Sequence, residues 1–158
     1  MKTRRDLLIA LAAAAFAPRT ALAQSKQPVL IGWLNTDSRE LSGHDLRAFK
    51  EGLATLGWKE GVQYVIEERW ANGRVVQLQP LAEELAAKKP AIIVAARLAA
   101  VTAGAKAAPK TPIVVATAGD LVATGLVKSL ARPGGLITGV TNVSDNVAEK
   151  LVELLLAA

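Results

Sequence analysis

The sequence predicts an α/β fold, a doubly wound parallel sheet of about five strands with helices on both faces. Two observations predict it. Strand-like and helix-like segments alternate from about residue 29 onwards, and the strand-like segments are short apolar runs, such as Pro-Ile-Val-Val-Ala at 112–116. Such runs are typical of parallel strands, which are buried on both faces. The chain also has no cysteine, so its apolar core alone must hold it together.

Each element follows from the local pattern. Strands are predicted at residues 29–34, 62–67, 91–95, 112–116 and 136–140. The second strand alternates apolar and polar residues, as a strand near an edge does. Helices are predicted at residues 46–56, 78–85, 99–108, 122–130 and 147–156. Gly57 is placed to end the first helix, and Lys88-Lys89-Pro90 ends the second.

The first 23 residues read as a secretory signal peptide. Lys2, Arg4 and Arg5 precede an apolar run at 7–17, and Ala21-Leu22-Ala23 offers a cleavage site after Ala23. The run is about half of the roughly 20 residues that cross a bilayer, so an uncleaved anchor is the weaker alternative. The twin arginine leaves the general secretory and twin-arginine routes both open, and both lead to the periplasm. The predicted mature domain is residues 24–158.

Charge gives no support to nucleic-acid binding. The chain has 19 Lys and Arg against 14 Asp and Glu, but residues 1–23 hold four of these cations and one of the acids. The remainder has 15 basic and 13 acidic side chains, a balance of +2. No basic run interleaved with aromatic residues is present, so we expect no nucleic-acid partner.

The residues expected of an enzyme or a metal site are missing. His44 is the single histidine, so histidine-based metal clusters are excluded, and its polar surroundings predict a surface position. No serine lies in a Gly-x-Ser-x-Gly elbow, and no glycine pattern after a strand fits a phosphate. Glu67 and Glu68 are adjacent on a strand and must point to opposite faces. We therefore predict a binding protein without catalytic residues, cofactor or metal.

The candidate ligand site lies where the strands end, because loops at the carboxyl ends of parallel strands converge on one edge of the sheet. Its candidate residues are Asn35, Thr36, Asp37 and Ser38 after the first strand, Trp70 after the second, Ala96 and Arg97 after the third, and Thr117, Ala118, Gly119 and Asp120 after the fourth. The hydroxyl and carboxylate side chains are equally suited to capping helices. Arg97 needs either a bound anion or a protein carboxylate, and Trp70 is either a stacking wall or a core residue.

Several motifs carry a resemblance to a known family. They are Ile-Gly-Trp-Leu at 31–34, Phe-Lys-Glu-Gly-Leu at 49–53, Glu-Glu-Arg-Trp-Ala at 67–71, Thr-Pro-Ile-Val-Val at 111–115 and Gly-Leu-Val-Lys-Ser-Leu-Ala-Arg-Pro-Gly-Gly at 125–135. The chain resembles the periplasmic substrate-binding proteins of ABC transporters, among them tryptophan- and tyrosine-uptake proteins. The resemblance implies that residues 24–158 are the N-terminal lobe of a type I periplasmic-binding-protein-like fold, with the second lobe absent. It also implies a small organic solute such as an amino acid, and an ABC permease at the inner membrane as partner.

The resemblance leaves alternatives open. Leu121 and Leu136 stand where the family usually has proline and asparagine, and loss of the proline is expected to loosen the turn at Leu121. A lone lobe could instead be an interaction or sensor module that binds a protein, or a non-functional fragment. Its exposed cleft face would favour self-association. An enzyme on a Rossmann-like sheet is the least supported reading.

Overall fold

The computed structural model describes residues 27–142 and 153–156, which build a sheet flanked by helices. The strands are β1 (Val29–Asn35), β2 (Tyr64–Trp70), β3 (Ile92–Ala96), β4 (Ile113–Thr117) and β5 (Ile137–Gly139). The helices are α1 (Arg39–Thr55), α2 (Leu78–Ala87) and α3 (Leu98–Ala107), with a short 3-10 helix at Val75–Gln77. The predicted α/β class and the predicted number of strands are confirmed for the described residues.

All neighbouring strands run parallel, in the order β2-β1-β3-β4-β5. In the sheet, β2 lies on one side of β1. The next strands, β3, β4 and β5, lie in sequence on the other side of β1. The strand order therefore reverses between β1 and β3. In open α/β sheets, the crevice at the carboxyl ends of the strands at such a reversal is where ligands bind.

The sheet is buried on both faces, which explains why its central strands are continuously apolar. On one face α1 covers Trp33 and Val94, together with Tyr64. On the other face α2 and α3 cover Leu34 and Ile93 within a larger apolar cluster. Trp33 and Leu34 are both fully buried although they are adjacent, because successive side chains of a strand point to opposite faces.

Gly32 allows α2 to approach β1 closely. A Cβ atom at this position would lie 2.8 Å from Cδ2 and 3.0 Å from Cγ of Leu85, which is itself fully buried. Because both atoms belong to a packed core side chain, a larger residue at position 32 would displace α2. The absence of a side chain at Gly32 is thus required for packing on this face.

The strand β2 starts later than the alternating pattern at 62–67 predicts. Residues 59–63 form a turn in which the backbone N–H groups of Val62 and Gln63 donate to the carbonyl of Lys59, at 3.2 and 3.0 Å. The side chain of Gln63 closes this turn by accepting from the Lys59 N–H at 2.8 Å. Val62 is thereby kept out of the sheet, and β2 runs from Tyr64 to Trp70 at one edge.

The prediction of a helix at residues 122–130 is wrong. The structure has a series of turns there, in which the N–H groups of Leu126 and Val127 both donate to the carbonyl of Leu121. Gly125 has a φ of +72°, which closes the turn and is incompatible with a continuing right-handed helix. The apolar spacing that favoured a helix instead buries Leu121 and Val127 in the core.

Leu121 and Leu136 have different environments. Leu121 is only 2% exposed, so its side chain anchors the turn by apolar burial. The expected loosening relative to a proline stays a prediction. Leu136 is about half exposed, and its carbonyl accepts from the Ile113 N–H at 2.8 Å. Both substitutions are therefore compatible with the fold.

Two predictions fall largely outside the described residues. The signal peptide at 1–23 lies there entirely, as do residues 147–152 of the predicted last helix. Residues 153–156 are helical and exposed. Within the described ranges, no helix combines the length and apolar character needed to span a membrane.

Gly32→Val is expected to lower the free energy of unfolding by about 1–3 kcal/mol, since overpacking at Leu85 must shift α2 or distort side chains. Chemical denaturation of the purified chain measures this. Gly52→Ala is the matched control, because no atom lies within 4 Å of a Cβ there. Its exposed helical site should instead gain about 0.5–1 kcal/mol. A Gly32→Val variant as stable as the unchanged chain would contradict the proposed close packing.

Candidate functional site

An ion pair lies across the point where the strand order reverses. Asp37 follows β1 and Arg97 follows β3, and the Arg97 guanidinium donates through Nε and Nη2 to Oδ2 of Asp37, at 3.1 and 3.0 Å. The Arg97 side chain is 48% exposed and that of Asp37 26% exposed. The carboxylate partner required by Arg97 is thus supplied by the protein, and the pair is partly exposed to solvent at the carboxyl ends of the strands.

Asp37 is also bound from α1. The hydroxyl of Ser42, a residue 2% exposed, donates to the same Oδ2 atom at 2.7 Å. This hydrogen bond and the neighbouring Arg97 guanidinium hold the pKa of the Asp37 carboxyl below its ordinary value of 3.8, against the opposing effect of burial. Among the described residues no hydrogen bond ends at Oδ1. The Oδ1 atom of Asp37 therefore has hydrogen-bonding capacity that these contacts do not use.

Arg97 has an unusual backbone. Its φ of +75° is a conformation that residues other than glycine rarely adopt. Its N–H donates to the carbonyl of Thr117 at 2.7 Å, which ties the ends of β3 and β4 together next to a register shift at Ala95 and Ala96. Strained backbone of this kind persists where the surroundings fix it, and it clusters at ligand sites.

Two buried polar groups beside the ion pair have no partner among the described residues. Asn35 is fully buried and its Oδ1 accepts from the Asp37 N–H at 2.9 Å, which fixes the orientation of the amide. Its Nδ2 donates to nothing, and Oγ1 of Thr36 is likewise buried without a partner. A buried unsatisfied polar group costs about 1–3 kcal/mol, a cost that a hydrogen-bonding partner at the end of β1 would remove.

Ser38 has a structural role. It is the N-cap of α1, and its Oγ accepts from the Leu41 N–H at 3.4 Å. The capping alternative therefore describes Ser38, whereas Thr36 caps nothing in the described structure. The loop after β2 supports this segment, since Gly73 donates its N–H to the carbonyl of Thr36 at 2.8 Å and Asn72 donates to that of Asp37 at 3.3 Å.

Trp70 is the last residue of β2 and lies in register with Asn35. Its ring is half-buried, and its centroid lies 6.2 Å from that of Trp33. The indole Nε1 donates to Oε2 of Glu68 at 2.9 Å. Trp70 thus packs on the core through one side while remaining partly accessible at the edge of the site.

The residues after β4 contribute less directly. Ala118 is buried, and its carbonyl accepts from the Asn142 N–H at 2.7 Å. Asp120 is exposed and its Oδ1 accepts from the N–H groups of Val122 and Ala123, at 2.8 and 3.0 Å. The Asp120 carboxylate therefore caps its own turn. The half-buried Gly119 lies between these two residues.

The structure brings together Asn35, Thr36, Asp37, Ala96, Arg97 and Thr117 at the ends of β1, β3 and β4. Sequence reasoning missed Ser42, which reads as a polar helix residue. The available signal was its position four residues after the N-cap Ser38, which returns it to the same face of α1 as the helix start. Only the folded structure shows that this face lies against Asp37.

The described part of the chain contains no cluster of three or more metal-ligating side chains. His44 is exposed as expected, and its Nε2 lies 3.3 Å from Oδ1 of Asp45. The candidate site is therefore an arrangement of charged and amide groups suited to hydrogen bonding.

Comparisons with known proteins identify a matching family and a curated relative. The family described as ABC transporter substrate binding protein matches residues 34–158. The tyrosine-binding protein of Clostridioides difficile (strain R20291) is 29% identical over 109 residues, which are 69% of this chain and 31% of that protein. This chain therefore spans about a third of the length of that curated relative.

Two solved structures are similar in fold and sequence. An ABC domain from Streptococcus pneumonia in complex with L-Trp has 27% identity and a TM-score of 0.67, over 72% of this chain and 38% of that one. The ligand-free, open structure of a substrate-binding protein with adhesive properties from Clostridium difficile has 26% identity and a TM-score of 0.69, over 80% and 43%. In both comparisons the matched region is less than half of the other protein.

We expect Ser42→Ala to raise the pKa of Asp37 towards 3.8, because the largest cause of its lowering is removed. A carboxyl whose pKa is lower in the folded state than in the unfolded state stabilises the fold at pH values above its unfolded-state pKa. This stability is lost as the pH falls through the folded-state pKa. NMR titration of the side-chain carboxyl carbons measures the shift. Ser129→Ala, which removes a hydroxyl bound to the Arg132 carbonyl, is the control. An unchanged Asp37 titration in Ser42→Ala would contradict the assigned cause.

Proposed function

The chain belongs to the ABC transporter substrate-binding protein family, and on that premise we propose that it captures a small organic solute such as an amino acid for delivery to a membrane permease. Proteins of this family bind substrates and are not enzymes. We place the solute at the reversal of strand order between β1 and β3. The topology and the groups found there support this position.

The observation that carries this placement is the Asp37–Arg97 pair with its unused hydrogen-bonding capacity. Both Arg97 bonds and the Ser42 bond end at Oδ2 of Asp37, so Oδ1 is left to accept from an ammonium or hydroxyl group. Nη1 of Arg97 is not used in the pair with Asp37, and Nδ2 of Asn35 has no partner among the described residues, so both are left to donate to a carboxylate. An α-amino acid carries both complementary charges on adjacent groups, and charge-assisted hydrogen bonds are the strong ones.

Aromatic amino acids are the first ligands to test. A similar structure holds L-Trp, and the curated relative is a tyrosine-binding protein by name. In this chain, Trp70 supplies a half-buried ring next to Asn35. Offset or edge contacts between aromatic rings contribute about 0.5–1.5 kcal/mol beyond burial, which suits a ligand with a ring.

The described residues supply one wall of this site. Pockets for small ligands bury about 70–90% of the ligand surface, so a second wall is needed for tight binding. We propose that the second wall is a further lobe, in keeping with the greater length of the relatives. One lobe alone should bind the solute more weakly.

A second candidate function is protein interaction, in which the lobe binds another lobe in trans. It is favoured by the partly covered face that α1 leaves over β3 and β4, where Ile92, Val114 and Ala116 are only half-buried. Apolar surface of this kind supports association. In that case the purified chain forms a stable dimer without ligand.

Calorimetry against an amino-acid panel tests the leading proposal. Asp37→Asn and Arg97→Gln should each weaken binding by about 10- to 100-fold, because each removes a hydrogen bond to a charged group. Lys50→Ala is the matched control, since it breaks the ion pair between Lys50 on α1 and Glu60 in the turn before β2 and leaves the site intact. Equal affinities in all variants would contradict the placement, and size-exclusion chromatography of the same samples identifies a ligand-free dimer.

We also propose export to the periplasm through the signal peptide at residues 1–23. The exported chain should then begin at Gln24, which N-terminal sequencing of the periplasmic fraction measures. Replacing Arg4 and Arg5 together by lysine should abolish export only if the twin-arginine route is used. An uncleaved N-terminus in the exported protein would contradict cleavage after Ala23.

A further inference from the structure

A short series of side-chain contacts connects the start of α1 with the end of β2. Arg39 is the first residue of α1, and its Nε lies 3.2 Å from Oε2 of Glu68 while its Nη2 donates to Oε1 at 3.2 Å. Trp70 then donates its indole Nε1 to the same Oε2 atom at 2.9 Å. Arg39 therefore contacts both carboxylate oxygens of Glu68, and Oε2 of Glu68 also accepts the hydrogen bond from the Trp70 indole.

The geometry of β2 makes this contact possible. Residues two apart on a strand point to the same face, so Glu68 and Trp70 both lie on the α1 side of the sheet. In the register with β1, Glu68 pairs with Trp33 and Trp70 pairs with Asn35. Trp70 packs against Trp33 at a centroid distance of 6.2 Å and an interplanar angle of 45°. Its ring is thus fixed at its nitrogen by Glu68 and along one side by Trp33.

The two contacts on Glu68 differ in strength. The Arg39 side chain is 64% exposed, so solvent screens its ion pair with Glu68 and limits the contribution to stability. The Glu68 side chain is only 21% exposed, and its bond with the indole is a charge-assisted hydrogen bond. The main effect of this arrangement is orientation of the ring.

We propose that Glu68, held by Arg39, is a positioning residue that fixes the Trp70 indole as a rigid wall beside Asn35, and that it thereby gives the site its preference for solutes with a flat aromatic group. The inference rests on the proposed function. The proposed selectivity depends on the Glu68 carboxylate, which contacts the Trp70 indole and does not contact the solute. A ring already held in place loses no rotamer freedom when a ligand stacks on it, whereas a free ring must be ordered at the expense of affinity.

The neighbouring Glu67 provides a matched control. It has the same side chain on the same strand but points to the opposite face, where its carboxylate contacts Nη1 of Arg69 and Nζ of Lys88, each at 3.3 Å. Glu67→Ala therefore removes a carboxylate and its ion pairs from β2 without altering the environment of Trp70. Any effect common to Glu67→Ala and Glu68→Ala is a general effect on the strand.

The experiment compares the purified chain with Glu68→Ala, Glu68→Gln, Glu67→Ala and Trp70→Phe. Near-ultraviolet circular dichroism reports the fixed asymmetric environment of the indoles without any ligand, and Trp70→Phe identifies the part that comes from Trp70. Calorimetry then gives the ratio of the affinities for L-phenylalanine and L-leucine. Glu68→Gln keeps an oxygen that accepts from the indole and so tests rescue.

In Glu68→Ala we expect the Trp70 part of the dichroism to disappear and the preference for phenylalanine to fall by about two- to tenfold, the range for loss of an aromatic contact. Glu68→Gln and Glu67→Ala should keep both properties. Unchanged dichroism and preference in Glu68→Ala would overturn the inference. If the unchanged chain binds no amino acid of the panel, the proposed function fails, and the dichroism alone decides whether Glu68 orients Trp70.

Discussion

The burial of β1 on both faces is the constraint on which the rest of the structure depends. This strand pairs with β2 on one side and β3 on the other, so the order in which strands are added to the sheet reverses at β1. Trp33 fills the face under α1 and Leu34 fills the face under α2 and α3, while Gly32 lets α2 approach. Because β1 is packed on both faces, the position of its carboxyl end is fixed. The polar residues after Leu34 are therefore placed by the core beneath them.

The site follows from this placement. Asn35 is buried at the end of β1, and its amide shapes the turn that presents Asp37. Arg97 reaches Asp37 from the end of β3, and Ser42 reaches it from α1. Three separate elements thus meet at one carboxylate oxygen. Because each element is held by the core, the pair is organised before any ligand arrives, which reduces the ordering required on binding.

Much of the fold could be predicted from the sequence, because buried parallel strands leave a direct pattern of apolar runs. The pattern failed where apolar residues served another purpose. Leu121 and Val127 have helical spacing, yet Gly125 turns the chain and the two side chains enter the core from a turn. In β2, the side chain of Gln63 stabilises a turn that the alternating pattern does not reveal.

The site was predictable as a set of strand ends but not as a network. Sequence order shows that Arg97 needs an anionic partner, and it cannot show that the partner is Asp37, 60 positions earlier. Ser42 and Glu68 gain their roles only from packing between α1 and the sheet. Long-range partners of this kind depend on register and topology, which local patterns do not encode.

The positive φ of Arg97 has a consequence for how this position can vary. Glycine would relieve the backbone conformation but remove the guanidinium, whereas any other residue type keeps a side chain and retains the strain. The backbone conformation therefore favours glycine at position 97, whereas the ion pair with Asp37 requires the arginine side chain. In related chains that do not need an ion pair with Asp37, we expect glycine at this position. The residue found there therefore indicates whether the charge is used.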